Sequence, residues 1–117
     1  MKTKATIKAV YELKPKWERN KSYYHKANII ELSNGVKLLQ SYDTIVAGIN
    51  TAGRFCKVWG GYSATTMKHI SDFRRQFGDS RGIGKRDWEA MYIDKAFSNR
   101  YDRWEYHYNA NYTATYY

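Results

Sequence analysis

SYDTIVAGINTAGRFCKVWGGYSATTMKHISDF, residues 41–73, reads as strand, turn, strand, corner and helix. Side chains alternate along an extended chain, so Ile45, Ala47 and Ile49 are expected on one face of the first strand. Asn50-Thr51-Ala52-Gly53 supplies a four-residue loop. That loop sets Thr44 opposite Trp59, Ile45 opposite Val58 and Ala47 opposite Cys56. Gly60-Gly61 lets the backbone turn where a side chain would obstruct it. Ser63 is the expected helix cap, with Thr65 and Thr66 in the first turn. Met67, Ile70, Phe73 and Phe77 then recur at three- and four-residue steps as one apolar stripe, and Gly78 supplies a stop. A hairpin feeding an amphipathic helix is the expected nucleus of the core.

Upstream, Thr3 to Lys14 alternates. Ala5, Ile7, Ala9, Tyr11 and Leu13 face one way, and Pro15 ends the strand by removing a ladder donor. The next hairpin is ANIIEL-SNG-VKLLQ. A two-residue loop would set Leu32 against Lys37, whereas a three-residue loop at Ser33-Asn34-Gly35 sets Ile30 against Leu38 and Glu31 against Lys37. The second register joins apolar to apolar and acid to base, and it puts Gly35 where a left-handed residue is needed. Downstream, a second helix is expected from about Arg86 to Phe97, with Trp88, Met91, Tyr92 and Ala96 on one side. Beyond it, Trp104, Tyr106, Tyr108, Ala110, Tyr112, Ala114 and Tyr116 occupy every even position. Such a run is extended, either as one long strand or as a hairpin folded near Asn109-Ala110-Asn111. Its aromatic face either completes the core sheet or, if exposed, forms an interface. The fold class that follows is α+β: a mainly antiparallel sheet of about five to six strands with two helices on one side.

A chain of 117 residues is expected to form a single domain, 1–117, with a modest core. Its 43% hydrophobic and 26% charged residues fit a globular protein. No apolar run approaches the roughly 18 residues of a membrane span, and MKTKATIKAVYELK lacks the apolar block of a secretion signal. Cys56 is the only cysteine, which excludes an internal disulfide and a cysteine-based zinc cluster and suits a reducing cytoplasm. Of the net charge of +9, residues 1–26 hold +6, residues 27–67 hold +1 and residues 68–117 hold +2. An excess so placed attracts polyanions: nucleic acid, a ribonucleoprotein or an acidic protein face.

Two groups of residues carry the chemistry. The first is Tyr42, Asp43, Tyr62, Ser63, Thr65, Thr66, Lys68 and His69, gathered where the strand begins and the helix starts. Unpaired amides and hydroxyls there suit a small anion or a partner's phosphate. The alternative is structural: Ser63 and Thr66 cap the helix, Asp43 bonds a nearby amide and His69 sits at the core edge. The second group is basic and aromatic. Lys14, Lys16, Arg19, Lys21 and Lys26 are interleaved with Trp17, Tyr23 and Tyr24, so cations for phosphates stand beside rings that stack on bases. Arg74, Arg75, Arg81, Lys85 and Arg86 extend the set. Gly82-Ile83-Gly84-Lys85 lacks the spacing of either nucleotide-binding fingerprint. Asp43 and His69 could form an oriented base, but no nucleophile has a catalytic context. Cys56 falls mid-strand, in a packing position. No metal site or cofactor is expected.

The segments SYDTIVAGI and WGGYSATTMKHISDF resemble small proteins of bacteriophages and mobile elements that share the pattern SYDTxVA…YSxTTxKHIxxF. Tyr42, Asp43, Thr44, Tyr62, Ser63, Thr65, Thr66, Lys68 and His69 are the matching positions. The resemblance implies a context rather than an activity, since small phage accessory proteins often bind host machinery or counter host defence, CRISPR systems included. The expectation is a non-catalytic accessory protein in the host cytoplasm, acting on nucleic acid or on a nucleic-acid-bearing defence complex. The alternative is a protein-only module that oligomerises through the tyrosine-rich run, and the third reading is a small hydrolase or nuclease.

Overall fold

Runs of apolar and β-branched residues lay down five strands, with glycine in the β2–β3 and β4–β5 turns: β1 (Ile7–Glu12), β2 (Ala27–Leu32), β3 (Lys37–Ser41), β4 (Thr44–Ile49) and β5 (Phe55–Lys57). They form one antiparallel sheet in the order β1-β2-β3-β4-β5. Three helices follow: α1 (Ala64–Phe77), α2 (Lys85–Ala90) and α3 (Lys95–Tyr101). The structure, a computed structural model, describes residues 7–14, 26–42, 44–61, 63–101, 105–106 and 114–115. The architecture is α+β, as the sequence led us to expect.

Both faces of the sheet are apolar. On one, Leu13, Ala27, Ile29, Leu39, Val46, Ala47 and Ile49 pack under Met67, Ile70 and Phe73 of α1 and Trp88 of α2. Ile70 and Phe73 are fully buried, and each such side chain contributes about 1.5–3 kcal/mol relative to exposure. On the other face, Ile30, Leu32, Val36, Leu38, Ile45, Cys56 and Val58 pack with Phe97 of α3. Gly48 is what admits that ring: a Cβ there would lie 2.5 Å from Cε1 and Cζ of Phe97.

The β2–β3 hairpin has the expected three-residue loop. Ile30 pairs with Leu38 and Glu31 with Lys37, the latter an ion pair of 3.7 Å, and Gly35 takes φ +91°. The β4–β5 hairpin corrects the sequence reading. Its loop is also three residues, Thr51-Ala52-Gly53, closed by Asn50 N–H donating to the Arg54 carbonyl at 3.0 Å, with Gly53 at φ +82°. Ala47 therefore pairs with Lys57 and Gly48 with Cys56, one residue away from the expected register. Thr44 pairs with Ser41, and the amides of both Val58 and Trp59 donate to the Val46 carbonyl. A bulge at Val46 separately breaks the alternation of β4, since Leu39 pairs with Ala47 but Gln40 with Ile45. Val46 and Ala47 both join the helix-side cluster while Ile45 joins the other, so Ile45, Ala47 and Ile49 do not share a face.

A second bulge, between Ile7 and Ala9, does the same to β1. Ile7 and Val10 pack on the α3 side, whereas Tyr11 and Leu13 lie on the α1 side. The single helix expected over 86–97 is two. Met91 is extended at φ −75° and ψ 134°, and Asp94 starts α3 by accepting from Phe97 N–H at 3.1 Å. Trp88 is buried and Met91 half-buried, but Tyr92 is 92% exposed and Ala96 is exposed, so these four form no common face. In the tyrosine-rich run, β6 (Glu105–Tyr106) and β7 (Ala114–Thr115) pair antiparallel as a hairpin, one of the two expected forms. Among the described residues they make a two-stranded sheet of their own and do not join the main one.

Candidate functional site

The expected anion site is held together from within. Ser63 is the N-cap of α1, extended at φ −151° and ψ 156°, and its Oγ accepts from Thr66 N–H at 3.1 Å. Thr66 is buried, and its Oγ1 lies 3.0 Å from Ser41 Oγ, which also lies 2.9 Å from His69 Nδ1. Ser41, at the end of β3, thus ties the sheet to the first two turns of α1. Next along the chain, Tyr42 turns with φ +55°, donates its N–H to the Lys26 carbonyl at 2.7 Å and sets its half-exposed ring 6.0 Å from that of His69. Of the eight residues expected together, Ser63, Thr66 and His69 serve the fold, Tyr42, Thr65 and Lys68 reach the surface, and Asp43 and Tyr62 lie outside the described residues.

His69 is fully buried. Burial, with a smaller contribution from the Lys26 charge, lowers its pKa from 6.5 to about 4, so the ring is neutral at physiological pH. Such an imidazole is a poor proton acceptor for a bound substrate. The Cys56 thiol is pushed up to about 11, first by burial and then by Asp94, which suits a packing role. Among the described residues, no group of three or more His, Cys, Asp or Glu could hold a metal ion, and no helix is long and apolar enough to cross a membrane.

The basic group is arranged around α1. Leu13 N–H donates to the Ala27 carbonyl at 2.9 Å and closes the base of the loop that joins β1 to β2. Gln76 of α1 donates through Nε2 to the Lys14 carbonyl at 2.8 Å. The loop therefore leaves the sheet beside the C-terminal end of α1, and it returns at Lys26, beside Tyr42 and His69. Lys14 and Lys26 are both exposed. Lys16, Trp17, Arg19, Lys21, Tyr23 and Tyr24 lie outside the described residues. On α1, Lys68 is exposed, Arg74 and Arg75 are half-buried, and the one acid, Asp72, is buried, which leaves the outer surface of the helix cationic.

The segment after α1 carries the rest. Asp79 accepts from Arg74 (Nε 3.0 Å, Nη2 3.1 Å) and from Arg81 (Nε 3.0 Å, Nη2 2.7 Å). Lys85 stands 4.0 Å from Glu89, and Arg86 is exposed. Sequence reasoning missed three residues here. Ser41 had the signal of a hydroxyl beside a turn. Asp79 had that of an acid between arginines at spacings of five and two. Lys57 gave none, because only the shifted register turns it inward. There its ammonium donates to the carbonyls of Trp88 (2.6 Å) and Met91 (3.0 Å), and burial lowers its pKa.

Taken together, these features define a small basic α+β protein in which Lys14, Lys26, Lys68, Arg81 and Arg86, on α1 and the segments near it, are exposed. The chain belongs to the family of unknown function DUF8033, which it matches over residues 11–90. That span runs from β1 through α2, taking in the basic loop and the arginine cluster and stopping before α3 and the tyrosine-rich run. No curated protein and no solved structure matches the chain.

Proposed function

We propose that this is a non-catalytic binding protein that engages nucleic acid, or a nucleic-acid-bearing host defence complex, through the loop over residues 14–26 and the outer side of α1. The observation that carries the proposal is the anchoring of that loop. Its base is closed by the Leu13–Ala27 hydrogen bond and held to α1 by Gln76, so a segment with five Lys/Arg against one acid, a net of +4, is attached beside a helix whose only acid is buried. Cations so arranged meet a phosphate backbone with little opposing charge. The SYDT…YSxTTxKH resemblance supports a phage or mobile-element accessory protein of anti-defence type, CRISPR inhibitors included, at work in the host cytoplasm. A buried, neutral His69 supports stoichiometric binding over turnover.

Competition tests the proposal. Capture of the host target should be lost after nuclease treatment or in the presence of free oligonucleotide. Capture that survives both would mean an acidic protein surface is the partner. One observation favours a second reading: among the described residues of the tyrosine-rich run, Glu105–Tyr106 and Ala114–Thr115 pair with each other and not with the main sheet. If that run is a self-association surface, truncation after Arg103 should convert an oligomer into a folded monomer. An insoluble product would instead assign the run to the fold.

A further inference from the structure

We propose that Arg74 and Arg81, bridged by Asp79, form a clamp for a backbone phosphodiester, an inference that rests on the nucleic-acid reading above and names its most specific contact. Asp79 follows the C-terminus of α1, where the helix dipole disfavours a carboxylate. Four hydrogen bonds from the two guanidinium groups hold it there. A guanidinium has five N–H donors, and each of these arginines uses two on Asp79, which leaves three apiece. Arg74 is fixed further by the Phe55 ring, 5.2 Å from its Cζ, and its side chain is 13% exposed; that of Arg81 is 74% exposed. The ordering that a phosphate contact normally has to impose on two long side chains is thus already in place. Two guanidinium charges against one carboxylate leave the group cationic. Arg75 adds a third guanidinium, lying so close over Gly82 that a Cβ there would come within 2.5 Å of its Nε. Forked donors held in a fixed relation match the oxygens of a phosphate, which takes arginine two bonds at a time.

The test measures binding of the full chain to a labelled single-stranded oligothymidylate, against salt, for wild type, D79N, R81K, R81Q and the loop variant K16Q/R19Q/K21Q. A diffuse charged surface predicts that D79N, which removes a negative charge, binds more tightly. The clamp predicts that D79N binds more weakly, because the arginines lose their common anchor. R81K keeps the charge and loses the fork, so it should weaken binding by about tenfold. R81Q should flatten the slope of log affinity against log salt by about 0.7. Arg81 lies largely in solvent, so its variants fold whatever becomes of D79N. Tighter or unchanged binding by D79N, or wild-type affinity in R81K, overturns the clamp. If the loop variant alone weakens binding, the clamp fails while the nucleic-acid reading stands. If wild type binds no oligonucleotide, both fail.

Discussion

His69→Asn should remove a large part of the acid sensitivity of this fold. The imidazole is fully buried, its Nδ1 is bonded to Ser41 and its pKa in the folded state is lowered from 6.5 to about 4. The unfolded chain therefore binds more protons than the folded one between those values, and stability falls as pH falls through that window. Linkage between the two pKa values gives a loss of up to roughly 2 kcal/mol from pH 7 to pH 5, reaching roughly 3 kcal/mol at pH 4. Asparagine can keep a polar atom near the Nδ1 position without titrating. Denaturant melts of both proteins at pH 7 and pH 5 give the comparison, and groups common to the two cancel in the difference. Wild type should lose up to roughly 2 kcal/mol more than the variant over this interval. Equal losses, or an imidazole that titrates near 6.5 by NMR, would show that the ring is not held neutral and that the buried Ser41–Thr66–His69 link is misassigned.

Three other substitutions probe the frame. Lys57→Met keeps the buried stem but leaves the Trp88 and Met91 carbonyls without their donor. It should cost about 2 kcal/mol, read as a lower melting temperature, and a variant that melts at or above wild type would mean that desolvating the ammonium outweighs its bonds. Gly48→Ala drives a methyl into Phe97 and should destabilise by about 1–3 kcal/mol; an unchanged melting curve would show that α3 is loosely seated. Thr66→Ala should lower stability by about 1 kcal/mol through its lost bond to Ser41. Thr65→Ala, at an exposed position, should leave the melt alone and change only ligand binding, so the reverse pattern would exchange their roles.

What the sequence disclosed depended on whether the signal was local. The α1 cap, stripe and stop each sit within a turn or two of chain, and Ser63, the Met67–Phe73 face and Gly78 are where local chemistry puts them. The β2–β3 register could be read because a wrong pairing would have set Leu32 against a lysine. The β4–β5 register could not, because apolar matching favoured a four-residue loop where the chain closes a three-residue one, and the bulge at Val46 breaks the alternation that such matching assumes. Nothing in Ile45-Val46-Ala47 announces a bulge; only packing against Leu39 on one face and Phe97 on the other selects it. That slip also hid Lys57. The split at Met91 had a local signal, Asp94 as a cap, which the apolar spacing of Trp88, Met91 and Tyr92 obscured. In the candidate site, the residue types were legible but their direction was not. Thr66 turns inward, where Ser41, distant in sequence, bonds it, and the exposed Ser63 spends its hydroxyl on the Thr66 amide.

The most direct test of the nucleic-acid reading is the salt dependence of oligonucleotide affinity in the variant carrying Lys16→Gln, Arg19→Gln and Lys21→Gln. Each phosphate neutralised contributes about −0.7 (single strand) to −0.9 (duplex) to the slope of log affinity against log salt. Losing three contacts should therefore flatten that slope by about two to three units. Trp17→Ala, if its ring stacks on a base, should weaken binding by roughly 1–3 kcal/mol without changing the slope. Unchanged affinity and slope in the triple variant would contradict the account, leaving the basic loop as solvated surface.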